Sequence, residues 1–139
     1  MRIIKFRGKR FDSSEWVYGD LEYNPRKKLA RIHTYDNDGD YLNQYIVDSD
    51  TVGQFSGLKD HFGKEIYEGD MLICPDVPTI SLEVYYNPKR GSFCLAEHTL
   101  TVGVHHGTTQ IGEMIMLYPD MRIIGNIHDN PETKKGGQE

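Results

Sequence analysis

The chain has 139 residues, and its 16 Lys and Arg against 21 Asp and Glu give a formal charge of −5 at neutral pH. This length fits one domain with its own core, and the negative charge disfavours nonspecific binding to the phosphates of nucleic acids. No apolar run approaches the roughly 18 residues of a membrane span, and no apolar segment of a secretory signal follows the first residues, so we expect a cytoplasmic protein without membrane association.

Apolar and polar residues alternate in the first half of the chain, over residues 16–23, 28–35 and 41–47, which predicts three strands. Turn-forming residues separate these stretches. An Asn-Pro pair lies at 24–25, and an Asp-Asn-Asp-Gly run lies at 36–39. We therefore predict a meander of antiparallel strands.

The second half of the chain continues the same pattern. Alternation over residues 80–86 and 93–96, around a turn-forming run, predicts another hairpin, and residues 121–127 predict a last strand. Residues 109–118 carry apolar side chains at helical spacing and form the one predicted helix. Residues 97–107 lack periodicity and are predicted to form an irregular loop.

These elements predict an all-β, mainly antiparallel fold with at most one short helix, built as a small barrel or a sandwich. We prefer the barrel, for which an SH3-like form is one option, because Glu68-Gly69-Asp70 before a strand resembles a turn of such barrels. The domain is expected to span residues 1–131. Two packed β subdomains divided near residues 50–65 also fit the length, and residues 132–139 are expected to be a disordered tail.

The central segment, residues 52–70, reads VGQFSGLKDHFGKEIYEGD and resembles the signature of the YopX family. Three flanking blocks occur in the order of that family: KFRGK at 5–9, EWVYG at 15–19 and IIGNIHDNP at 123–131. The resemblance implies a mostly β protein encoded by bacteriophages or prophages. It implies no assigned biochemical role and brings no catalytic residues to this chain.

The glycines of the central segment predict a series of tight turns. Gly57, Gly63 and Gly69 recur at six-residue spacing, which suits backbone positions with positive φ, and we favour a structural scaffold. The alternative is a recognition surface, because a rigid sheet often holds binding residues on its loops. The candidate residues of that surface are Lys59, Asp60, Lys64, Glu65, Glu68 and Asp70, together with the aromatic residues Trp16 and Tyr18.

Two further groups of residues could be considered as metal or redox sites, but their spacing does not support either. Asp36, Asp38 and Asp40 alternate as calcium ligands can, but the glycine and closing glutamate positions of an EF-hand do not match, so we expect a hairpin turn. Cys74 and Cys94 lie in apolar, strand-like stretches without metal or redox spacing. We expect both to be buried, reduced thiols.

The histidines are the one place where a metal site is worth considering. His98, His105 and His106 lack the paired spacing of zinc ligands, and a ligand from elsewhere, such as Glu97 or His128, would be needed to complete a site. No nucleophile motif or phosphate-binding loop occurs in the sequence. We therefore predict no cofactor, no metal and no enzymatic activity.

The many aromatic residues on predicted strands favour a protein-binding or adaptor module, which engages a host or phage protein and self-associates through strand edges or aromatic patches. The alternative is a nucleic-acid-binding accessory protein, in which N-terminal cations contact phosphates and aromatic rings stack on bases. The cations are Arg2, Lys5, Arg7, Lys9 and Arg10, then Arg26, Lys27 and Lys28, and the aromatic residues are Trp16, Tyr18, Tyr23, Tyr35, Tyr41 and Tyr45.

Overall fold

The computed structural model describes residues 1–99 and 103–129. It divides the chain into two compact units, Met1–Phe55 and Ser56–Glu139. The paired strands are antiparallel and form two sheets, neither of which closes into a barrel in the described part of the chain. The predicted all-β, mainly antiparallel fold with one short helix is confirmed, but the barrel that we preferred does not occur. The tail predicted at residues 132–139 lies outside the described residues.

Unit 1 is a meander of antiparallel strands, ordered β4-β3-β2-β1-β5 in the sheet. Ala30, Ile32 and Val47 form its buried core, and Val17 and Leu21 pack against them. The predicted alternation therefore identified both the strands and the side that faces the core. The strands are β1 (Phe6–Lys9), β2 (Trp16–Asn24), β3 (Leu29–Tyr35), β4 (Tyr41–Val47) and the start of β5 (Gly53–Lys59).

Unit 2 contains the second sheet and the helix. The sheet has the order β10-β9-β8-β7-β11, and β6 follows β5 as a hairpin. Leu72, Leu82, Leu95, Ile111 and Met121 are among the buried residues of its core. The elements are β6 (Glu65–Tyr67), β7 (Asp70–Ile73), β8 (Ser81–Asn87), β9 (Ser92–Thr99), β10 (Gly103–Gln110), α1 (Ile111–Leu117) and β11 (Arg122–Asn126). The one predicted helix is confirmed.

The irregular loop predicted over residues 97–107 is wrong. β9 ends at Thr99, β10 begins at Gly103, and the two strands pair along this stretch. Alternation was hidden in the sequence because His98, a polar residue, occupies a buried position. Its Nε2 lies 2.9 Å from Oε1 of Glu83, and this hydrogen bond gives the buried ring a polar partner.

Candidate functional site

The signature segment folds as short strands joined by anchored turns. β5 and β6 flank a turn over residues 60–64, and a second turn leads from β6 into β7. Gly57, Gly63 and Gly69 have φ values of 87°, 81° and 91°, the positive values that their spacing predicted. The segment consists of short strands and hydrogen-bonded turns, and the turn at 60–64, called here the Phe62 turn, carries exposed side chains.

Asp60 organises the Phe62 turn through its carboxylate. Oδ1 accepts hydrogen bonds from the amides of Phe62 and Lys64, each at 2.9 Å, and Oδ2 accepts one from the amide of Ile123 at 3.0 Å. Burial raises the pKa of Asp60, but these amides and the charge of Lys64 outweigh burial and hold that pKa below its usual range. The turn is therefore fixed by an ionised, buried carboxylate.

Phe62 stands at the tip of this turn and leaves 70% of its surface in solvent. The guanidinium of Arg122 lies 5.1 Å from the centre of its ring, and the ring of His61 meets it edge-on at 5.0 Å. Lys59 and Lys64 on either side of the turn are exposed. The result is an exposed aromatic side chain on a hydrogen-bonded turn, with one guanidinium against its ring and two exposed lysines close to it in the sequence. This is an unusual arrangement for a polar loop tip.

The charged residues predicted in the signature do not share one surface. Asp70 is 2% exposed, and its Oδ2 accepts a hydrogen bond from the amide of Tyr67 at 2.7 Å. Glu65 and Glu68 are half-buried, and Oε1 of Glu65 accepts a hydrogen bond from the hydroxyl of Tyr67 at 3.1 Å. Of the six predicted residues, the two lysines are the exposed ones, at positions 59 and 64. Sequence reasoning missed Phe62 and Arg122, which flank them.

Trp16 and Tyr18, the predicted aromatic pair, lie on β2 beside basic residues of β1. The guanidinium of Arg7 is 4.6 Å from the ring centre of Trp16, and the ammonium of Lys9 is 5.7 Å from it. Arg7 is buried, whereas Tyr18 is exposed. Two of the cations expected to contact phosphates are thus engaged with the ring that was expected to stack on bases.

Other cations of unit 1 are engaged with carboxylates. The guanidinium of Arg10 lies 2.7 Å from a carboxylate oxygen of Asp12. Glu22 contacts both Arg31, at 3.4 Å, and His33, at 2.9 Å. Local neutralisation of this kind weakens the field that a nucleic-acid site needs.

The residues considered for metal chemistry have other surroundings. Oδ1 of Asp36 accepts hydrogen bonds from the amides of Asp38 and Asp40, both at 2.9 Å, and so closes the turn between β3 and β4. Cys74 and Cys94 are buried free thiols. Among the described residues, no cluster of three or more His, Cys, Asp or Glu could hold a metal. The side chains of residues 104–106 and 108, and with them two of the three histidines considered for zinc, lie outside that description.

Unit 2 also contains an apolar pocket of about 220 Å³ that the sequence did not indicate. Glu97 supplies the one carboxylate among the described residues that line it. Glu97 is the direct register partner of Leu82 on the adjacent strand, so both side chains are on the same face of the sheet. The aliphatic wall is formed by Val77, Ile80, Leu82, Leu95 and Met114.

β4 lies at the edge of its sheet and is composed of uncharged residues. Exposed edges usually carry charges or proline, which prevent pairing with another chain. Two hydrogen bonds cover part of this edge: the Phe11 amide donates to the Ile46 carbonyl at 3.2 Å, and the Gln44 amide donates to Oδ1 of Asn43 at 2.8 Å. Leu42 lies where the register between β3 and β4 shifts, because Thr34 pairs with Asn43 and Tyr35 with Tyr41. Its side chain is exposed, and it marks the part of the edge that these two hydrogen bonds leave open.

Comparisons with known proteins bear on family and fold. The family model described as YopX protein matches residues 5–133. No curated protein sequence matches the chain. The crystal structure of protein EF1440 from Enterococcus faecalis is similar to it, with a TM-score of 0.59 and 23% sequence identity, over 96% of this chain and 99% of that chain. At this identity the likeness concerns the fold alone. In the described part of the chain, no helix has the length and apolar character needed to cross a membrane.

Proposed function

Since the chain belongs to the YopX family, we propose that it is a phage- or prophage-encoded adaptor, which binds another protein in the bacterial cytoplasm and catalyses no reaction of its own. The partner presents an apolar pocket next to acidic side chains. The observation that carries this proposal is the exposed ring of Phe62, held in a hydrogen-bonded turn among basic side chains.

Phe62 has the properties of an interface anchor. Burial of a phenylalanine side chain contributes about 1.5–3 kcal/mol, and aromatic anchors of this kind account for much of the affinity of protein interfaces. A flexible loop would lose part of this gain when it became ordered. The hydrogen bonds of Asp60 fix the turn before binding, so little of the gain is lost.

Charge indicates the chemistry of the partner. Arg122 contacts the ring of Phe62, and the exposed Lys59 and Lys64 lie close to it in the sequence, although the chain as a whole carries a formal charge of −5. A local positive patch on a negative protein steers acidic surfaces to that patch and repels them elsewhere. We therefore expect higher salt to slow association with the partner, while the apolar contribution of Phe62 remains.

The test is a pull-down from bacterial host cells during phage infection, with nuclease present, using tagged wild-type protein, Phe62→Ala and Phe11→Ala. Phe11 is the matched control, because it is 68% exposed against 70% for Phe62 but lies in unit 1, between β1 and β2. We expect Phe62→Ala to retain at least about tenfold less partner protein than the wild type, as for an interface hot spot. Phe11→Ala should retain it in full.

Two results would overturn the proposal. One is equal retention of all proteins by wild type and Phe62→Ala. The other is retention of nuclease-sensitive material alone, with binding that weakens steeply as salt rises, which would favour the alternative of nucleic-acid binding through the N-terminal cations, Trp16 and Tyr18. Circular dichroism and thermal melting of the variants confirm that each remains folded.

We also propose that the protein self-associates through the open part of the β4 edge, at Leu42. Introducing a charge at an exposed strand edge opposes pairing with a second copy, because the like charges of the two copies would lie on neighbouring strands of one sheet. Leu42→Lys should therefore convert a concentration-dependent dimer into a monomer in sedimentation velocity experiments. A wild-type protein that stays monomeric at the highest concentrations would remove this part of the proposal.

A further inference from the structure

The pocket of unit 2 differs in chemistry and location from the Phe62 turn. We propose that it is a binding site for a small organic ammonium ion with an apolar body, whose charged end pairs with Glu97. This ligand class is independent of the protein partner proposed for the Phe62 turn. Three features of the pocket carry the inference: its volume, its apolar wall and Glu97, the one carboxylate among the described residues that line it.

The volume suits one ring with a short substituent. A dry apolar cavity of roughly 150 Å³ is enough to bind benzene in a protein core. The pocket here has about 220 Å³, so an aromatic ring and a two-carbon chain fit within it. Drug-sized ligands usually occupy about 300 Å³ or more, and the pocket is therefore a site for a small molecule.

The aliphatic wall of the pocket favours a ligand whose inner part is apolar. Leu82, Leu95 and Met114 line the pocket, and the first two belong to the buried core of unit 2. An apolar group that enters exchanges contact with water for contact with these side chains, at about 25 cal/mol per Å² of surface buried. The same surroundings reduce the access of water to a charge held at the wall, which strengthens its attraction to an opposite charge.

Glu97 determines the sign of the charge that the ligand carries. It is half-buried, and none of the Lys, Arg and His side chains that the structure describes forms an ion pair with it. A carboxylate with apolar neighbours repels anions and attracts a cation that can also donate hydrogen bonds to it, as an ammonium does. His105 is the register partner of Glu97 on β10, so the test is made at pH 8, where an ordinary imidazole is neutral.

The experiment is isothermal titration of the full chain with three probes that share a phenylethyl body and differ in their polar end: 2-phenylethylammonium, neutral 2-phenylethanol and anionic 3-phenylpropanoate. We expect the ammonium to bind the wild type about tenfold more tightly than the alcohol, as one charge-assisted hydrogen bond allows, and the anion to bind more weakly than either. In Glu97→Gln, which keeps the shape of the side chain, the ammonium and the alcohol should bind equally.

Each remaining outcome overturns the proposal. Equal binding of all three probes to the wild type would show an apolar void without selectivity, and no binding at millimolar concentrations would show that the pocket is not a ligand site. A preference for the ammonium that survives in Glu97→Gln would place the cation somewhere else. Thermal melting of Glu97→Gln controls for loss of the fold.

Discussion

Replacement of Asp60 by alanine should lower the free energy of unfolding by about 3 kcal/mol, because three backbone amides lose a charged acceptor at once. Each hydrogen bond to a charged group contributes about 1.5–3 kcal/mol, but the amides of Phe62 and Lys64 lie at an exposed turn where water can replace the carboxylate. The amide of Ile123, in β11, has less access to water. Chemical denaturation with a two-state fit measures the loss.

Asp36→Ala is the matched control for this variant. Its carboxylate also closes a turn through backbone amides, those of Asp38 and Asp40, but in an exposed hairpin of unit 1. We expect this control to lose about 1 kcal/mol, since exposed turn hydrogen bonds exchange readily with water. A loss for Asp60→Ala no larger than that for Asp36→Ala would show that Asp60 does not anchor the signature segment.

The contribution of Asp60 should also depend on pH. Its pKa is lowered in the folded protein from the usual value of 3.8, so the folded state holds the ionised form more strongly than the unfolded state does. The stabilisation is therefore complete above pH 3.8 and is lost as the pH falls through the lower, folded pKa. Stability curves of wild type and Asp60→Ala should converge in that acidic range. Parallel curves would contradict the assignment.

Asp60→Ala has a further consequence for the proposed adaptor. If the hydrogen bonds of Asp60 hold Phe62 ready for its partner, their loss should weaken binding even under conditions in which the variant is fully folded. Lys64→Gln, which removes a charge of the patch but retains the turn, separates this effect from electrostatics. That variant should slow association and leave the dissociation rate nearly unchanged.

Sequence periodicity predicted most strands of this protein, for a physical reason that also explains where it failed. In unit 1, the side chains on one side of the meander pack into a core, and those on the opposite side are exposed to solvent. Val17 and Leu21 therefore alternate with polar residues. In unit 2, the pattern fails where His98 is buried with Glu83 as its hydrogen-bond partner. A polar residue that is buried together with its hydrogen-bond partner cannot be recognised as a core residue from a hydropathy pattern.

The candidate sites were harder to predict than the fold. The glycine spacing indicated the positive φ values and the turns at Gly63 and Gly69, but the turn predicted at Gly57 is wrong, because Gly57 lies within β5. An apolar Phe62 between charged residues gives no sign that its ring points into solvent. The pocket depends on strand register, because Leu82 and Glu97 meet across β8 and β9. The sequence predicted this hairpin but ended its second strand at residue 96 and placed Glu97 in a loop, so the register that brings Glu97 opposite Leu82 was not foreseen.

The largest loss of stability should follow from Gly19→Ala, at a position where the sequence shows an ordinary strand. β2 pairs with β1 through residues 16–19 and with β3 through residues 20–24, so the strand changes partner at Gly19. A Cβ atom at this position would lie 1.9 Å from the carbonyl oxygen of His33, which belongs to the backbone of β3 and cannot move without breaking the sheet. We expect a loss of more than about 3 kcal/mol, at the severe end of overpacking.

Gly39→Ala separates this close approach from the general cost of replacing glycine. Gly39 has a φ of +86°, and a Cβ atom there would have no neighbour within 4 Å, so alanine adds backbone strain of about 1 kcal/mol without a clash. Equal thermal melting temperatures for Gly19→Ala and Gly39→Ala would contradict the account of β2. A selective loss in Gly19→Ala would show that the family block EWVYG, residues 15–19, ends in glycine because β3 passes directly over its backbone.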